Sequence, residues 1–169
     1  MNYSKKQFKR LLKKIRKIVQ KILKDIRFQC QMCGDCCHIN DERKKIYKDI
    51  FRILWDGETE LMPIDGWLEL PKEWDGFYWS AKLNLVKKGD IITCYYQDIT
   101  TGMCLVENNK PLLCKCAPII IMPIADIGLD NTCKYIKENN ITVKDIENSI
   151  YFPKLYSLMK RLKIYVFEK

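Results

Sequence analysis

Nine cysteines in 169 residues are the part of this sequence that can do chemistry, and four of them, Cys30, Cys33, Cys36 and Cys37, fall within eight residues. The others, Cys94, Cys104, Cys114, Cys116 and Cys133, come from distant stretches. A secreted disulfide framework is a poor account, because the chain is not short, the count is odd and the N-terminus lacks the uninterrupted apolar run of a secretory signal. Metal binding is the better one. A Cys-x-x-Cys turn aims two sulfurs at one point, and Gly34 lets the backbone wrap so that amide N–H groups face the thiolates. Thiolates so close repel one another, and a bound metal makes their joint deprotonation favourable. Cys30, Cys33 and Cys36 have the spacing of the first three ligands of a bacterial ferredoxin loop, while all-thiolate coordination suits zinc equally. An iron–sulfur cluster and zinc both stay open. A radical S-adenosylmethionine cluster needs another spacing. Successive residues project apart, so Cys37 is expected to serve a different site from Cys36. His38, the one histidine, is read as a surface group, as an N–H donor to a thiolate or as a nitrogen ligand.

The ordered blocks Phe28-x-Cys30-x2-Cys33-Gly34-x-Cys36-Cys37, Cys94-x9-Cys104, Lys110-Pro111-x2-Cys114 with Pro118 beyond, and Cys133-Lys-Tyr-Ile resemble the CxxCxxCC cysteine-cluster family. These YkgJ-like domains are described as zinc- or iron-chelating and include relatives of flagellin lysine N-methylase. The resemblance covers roughly residues 28 to 140. It implies Cys30, Cys33, Cys36, Cys37, Cys94, Cys104, Cys114 and Cys133 as chelating residues, with Cys116 the extra one. Where the family usually has Arg-Pro-x-x-Cys-Arg, this chain has Lys110 and Lys115. Lysine lacks the planar fork of arginine, so a bidentate contact made there in relatives does not carry over. The block from Ile39 to Gly89 has no matching motif.

A long basic helix precedes this cluster. Ser4 to Arg27 contains no Gly or Pro, Ser4 and Gln7 form a capping-box pattern, and Phe8, Leu12, Ile15, Val19, Ile22 and Ile26 make a heptad seam widened by Leu11, Ile18 and Leu23. Eleven Lys and Arg stand against one acid, Asp25, between Lys5 and Arg27, a balance of +10 within a total of +9. The body is therefore almost neutral. Residues 1–27 read as a helical arm and 28–169 as the metal-chelating domain. The arm suits a domain-capping role or a protein partner or homo-oligomer through residues 5–27; an anionic membrane surface and nucleic-acid phosphates are further readings. No run of about 18 uncharged apolar residues is present, so no membrane span is expected, and the chain reads as cytoplasmic.

The elements that must position the thiols read as follows. Asn40 or Asp41 caps a short helix through about Leu54; residues 56–80, with Trp67, Trp74 and Trp79, form an irregular loop packed by its aromatics; Ile91–Tyr96 and Met103–Val106 form a hairpin carrying Cys94 and Cys104. Pro111 and Pro118 bracket Cys114 and Cys116 in a turn, Ile119–Ile124 is buried, and helices follow at about 130–139, 142–149 and from Pro153 toward Tyr165. The fold class is α+β, a small body pinned by metal with flanking helices. No two of the seven glycines lie within eight residues, which excludes P-loops and Rossmann turns. With one histidine and no evident carboxylate couple, catalysis is left open. The leading reading is a cytosolic metal-binding protein; the others are a metal-dependent lysine methylase and a metal-folded module whose basic helix binds nucleic acid or a partner.

Overall fold

A computed structural model describes residues 5–39, 53–55, 58–70, 79–121 and 127–167. The chain is mixed α+β, with five α-helices and eight short strands among these residues, and it divides into two units, Met32–Cys114 and the pair of segments Met1–Gln31 and Lys115–Lys169.

In the discontinuous unit, helix α1 (Lys5–Asp25) forms as its spacing predicts. Phe8, Leu11, Leu12, Ile15, Ile18, Val19, Ile22 and Leu23 are all buried, and the lysines between them are exposed. Ser4, the expected cap, lies outside the described residues. The apolar stripe packs along the last helix, α5 (Phe152–Phe167), whose Leu155, Leu158, Met159 and Leu162 point inward as expected. Burying one such side chain fully contributes about 1.5–3 kcal/mol, so Ile15→Asp would break the pair. The C-terminal end of α1 meets the start of α5, because the Ser149 hydroxyl donates to Asp25 at 2.6 Å and the Lys21 ammonium lies 4.9 Å from the Tyr151 ring centre. The two helices thus run antiparallel. Strands β7 (Ile119–Ile120) and β8 (Gly128–Leu129) pair in a small hairpin. Helices α3 (Lys134–Glu138) and α4 (Val143–Glu147) follow, α4 capped reciprocally by Thr142 and Asp145.

Among the described residues, the continuous unit holds two three-stranded antiparallel sheets. In one, β1 (His38–Ile39) and β5 (Leu85–Lys88) flank β6 (Ile91–Cys94). The β5–β6 link is a two-residue turn led by Gly89 at φ 61°, as hairpin twist demands. In the other, β2 (Ile53–Trp55) and β3 (Trp67–Glu69) flank β4 (Trp79–Leu83). Two expectations change here. Ile53 and Leu54 end no helix: they pair in register with Lys82 and Ala81, and burial of Leu54 and Trp55 against this sheet outweighs local helical spacing. The rest of the expected 40–54 helix falls outside the described residues. Trp67 and Trp79 belong to strands rather than to an irregular loop; Trp74 lies outside the described residues. The core of this unit is Leu54, Met62, Ala81, Leu83, Cys94 and Tyr96, with Cys37, Cys104 and Cys114 packed against it.

Candidate metal centre

Each thiol near that core is placed by a local device. Gly34 adopts φ 78°, and the Cys37 N–H donates to the Gly34 carbonyl at 2.7 Å. Residues 35–37 are therefore a tight turn, not extended chain. That corrects the expectation that Cys36 and Cys37 diverge: in a turn successive side chains do not alternate across two faces, and the two Sγ atoms sit 3.8 Å apart. The chain then enters β1, where His38 faces Thr93 and Ile39 faces Ile92. One step back along the ladder the Cys94 N–H donates to the Cys37 carbonyl at 3.1 Å, which sets these two cysteines opposite each other.

Beyond β6 the chain turns through Asp98, whose carboxylate accepts from the Thr100 N–H at 2.8 Å and the Thr101 hydroxyl at 2.9 Å. These bonds, led by the Thr100 N–H, hold the Asp98 carboxyl below its ordinary range. Gln97 then bridges Cys104, so the chain folds back there, but the expected strands do not follow: the first stops at Cys94 and Met103–Val106 forms none, leaving a single bridge beside the turn. Helix α2 (Leu112–Cys116) carries Cys114. The Glu58 carboxylate accepts from Leu112 N–H at 2.6 Å and from Trp55 N–H at 2.8 Å, capping an orphan donor of α2 and tying it to β2.

The result is one cavity of about 50 Å³ lined by Cys36, Cys37, Cys94, Cys104 and Cys114, with Leu83, Tyr96, Val106, Lys110 and Pro111 completing its wall. All five thiols belong to the unit Met32–Cys114. None of the nine cysteines forms a disulfide. The Cys37 thiol is pushed far above its ordinary pKa, first by its hydrogen bond with Cys36, then by burial and by the neighbouring Cys36, Cys114 and Cys94; burial likewise raises Cys104, against the pull of Lys110. Burial also pushes Tyr96 up to about 12; its hydroxyl donates to the Pro63 carbonyl. For Cys37 and Cys104 these surroundings oppose ionisation, and a bound cation would favour it.

The donor set fits a thiophilic metal. With a Zn–S bond of about 2.3 Å, the edge of a tetrahedral thiolate site is about 3.8 Å, the Cys36–Cys37 separation. The space is that of a few water-sized spheres. Among the described residues, no group of three His, Cys, Asp or Glu side chains is placed to hold a metal ion.

The other cysteines stand elsewhere. Cys33 is exposed and lies outside the cavity wall, as does His38, whose imidazole rests beside Gly34. Cys30, Cys116 and Cys133 belong to the other unit. There Phe28 packs edge-on against Tyr135 at 5.2 Å and the Tyr135 hydroxyl donates to the Arg27 carbonyl at 2.6 Å, so the segment leading to exposed Cys30 reaches the helix that Cys133 caps. Cys116 is fully buried. Sequence reasoning missed Glu58 and Tyr96: a carboxylate capping a helix 54 residues away leaves no local signature. No helix among the described residues is long and apolar enough to cross a membrane. No protein-family model, no curated protein and no solved structure matches this chain.

Proposed function

We propose that this protein is a metal-chelating protein whose Met32–Cys114 unit holds zinc or an iron–sulfur centre through thiolates drawn from Cys36, Cys37, Cys94, Cys104 and Cys114. The observation that carries the reading is the convergence of five thiols, from four separate stretches of chain, on the wall of one small cavity. Close-set thiols repel one another once ionised unless a cation joins them, and a metal contributes folding free energy directly where loops must be pinned. Cys36 and Cys37 would act as two ligands on one metal atom, an arrangement open to zinc and to an iron carrying two thiolates. Lys110, in the cavity wall, offsets part of the negative charge of a thiolate site.

The test is alkylation mapping. Anaerobic protein, with and without added zinc or ferrous iron plus sulfide, is treated with iodoacetamide and its peptides weighed. Metal is expected to shield the half-buried Cys36, Cys104 and Cys114 while exposed Cys33 stays reactive. Equal labelling of those three thiols under all conditions would contradict the reading.

A further inference from the structure

Helices α1 and α5 enclose a second concavity, a groove of about 450 Å³ within the discontinuous unit. One wall presents Lys14, Lys17 and Lys21, and the other Lys154, Arg161 and the Ser157 hydroxyl, above a floor of Ile18 and Leu158. Among the described residues, no carboxylate lines it. The surrounding sequence adds no counter-charge: α5 contains no Asp or Glu, and α1 contains only Asp25, which is engaged by Ser149. Residues 14 to 21 and 154 to 161 each span about two helical turns, so cations face one another across the groove for about 10 Å. Holding five like charges there is unfavourable, and the site gains most from a ligand that brings repeated negative charge along a line.

We infer that the α1–α5 groove binds single-stranded nucleic acid through its phosphodiester backbone, without sequence preference. The shape selects this occupant. A bilayer is a plane and cannot enter a groove, and insertion of α1 into one would need the apolar stripe that is already buried. A duplex is too broad to reach cations on both walls. A single strand is narrow, and its phosphates recur at the scale of a helical turn. The lysine stems and the Ile18–Leu158 floor offer an apolar surface to sugars, and the ammonium groups and Arg161 fork pair with phosphate oxygens. This inference is independent of metal binding in the other unit.

Fluorescence anisotropy of the full-length chain with a labelled 20-nucleotide uridine RNA tests it. About three phosphates fit along the 10 Å of groove, which predicts a slope of log K against log salt of about −2, a loss of about twentyfold in affinity from 50 to 200 mM salt. The double variant Lys17→Gln/Arg161→Gln should lower that slope by about 1.4, while an equal charge change outside the groove, Lys137→Gln/Lys144→Gln, should leave it unchanged. An oligo-adenosine RNA should bind equally well. Equal effects of the two double variants would overturn the inference, as would tighter binding to a poly-glutamate peptide or to phosphatidylserine vesicles than to the RNA.

Discussion

Cys37 and Cys94 are cross-strand neighbours: the Cys94 N–H donates to the Cys37 carbonyl at 3.1 Å, so the end of the clustered motif is fastened to a strand 57 positions further along the chain. The candidate centre is therefore built on a sheet and not on a loop alone. With Thr93 donating to the same carbonyl at 3.2 Å, the orientation of one cysteine depends on the strand that supplies the next.

Two cysteines of α2, two residues apart, differ in their surroundings. Cys114 lines the cavity and Cys116 is fully buried outside it. Cys114→Ser should abolish tight metal loading. Cys116→Ser should leave loading intact while costing about 1 kcal/mol of stability, the cost of burying a hydroxyl where a thiol packed. Elemental analysis beside thermal melts distinguishes them.

Glu58 positions Cys114 without touching the cavity. Glu58→Ala deletes a charged acceptor shared by Leu112 and Trp55, which should cost about 2 kcal/mol and lower the melting temperature by roughly 5 °C. Metal affinity should fall as well, with binding stoichiometry unchanged. Competition against a chromophoric chelator reads the affinity; a variant as stable and as tight-binding as wild type would remove Glu58 from the account.

Gly102 and Gly89 have similar backbone angles, φ 71° and 61°, but different surroundings. A Cβ on Gly102 would run into the Met32 carbonyl oxygen, whereas at Gly89 nothing lies within 4 Å. Gly89→Ala should cost about 1 kcal/mol, the left-handed penalty alone. Gly102→Ala should cost about 1 kcal/mol or more beyond that, because backbone cannot yield as a side chain can. Chemical denaturation measures the difference.

The turn that returns the chain to Cys104 should be acid-labile. Asp98 is held below its ordinary pKa by the Thr100 N–H and its neighbours, so its stabilising contribution is present above about pH 4 and is lost as pH falls through the depressed value. Wild type should exceed Asp98→Ala in stability at pH 6, and the gap should close toward pH 2.5. A gap that stays constant over this range would show that the carboxylate charge is not what holds the turn.

The periodicity of α1 was legible, since apolar residues every three or four positions leave one way to bury them, and α5 was legible for the same reason. Their pairing was not: partners about 130 to 150 residues apart carry no local mark. Cys94 and Cys104 could be read as hairpin neighbours because a turn-forming Thr-Thr-Gly lies between them. The shared orientation of Cys36 and Cys37 could not, because it depends on how Gly34 turns the backbone against buried Gln97. Ile53 and Leu54 read as the end of a helix because apolar residues there fit a helix face or a buried strand equally, and the strand 79–83 that decides the matter is distant in sequence.

Purification of the intact protein under anaerobic conditions, followed by elemental analysis, labile-sulfide assay and a visible spectrum, bears most directly on the five-thiol cavity. The account predicts a stoichiometric metal that survives dialysis, either zinc in a colourless protein or iron with sulfide in a brown one, and a melting temperature that drops when a strong chelator strips it. Protein free of zinc and iron, and equally heat-resistant with and without the chelator, would contradict it.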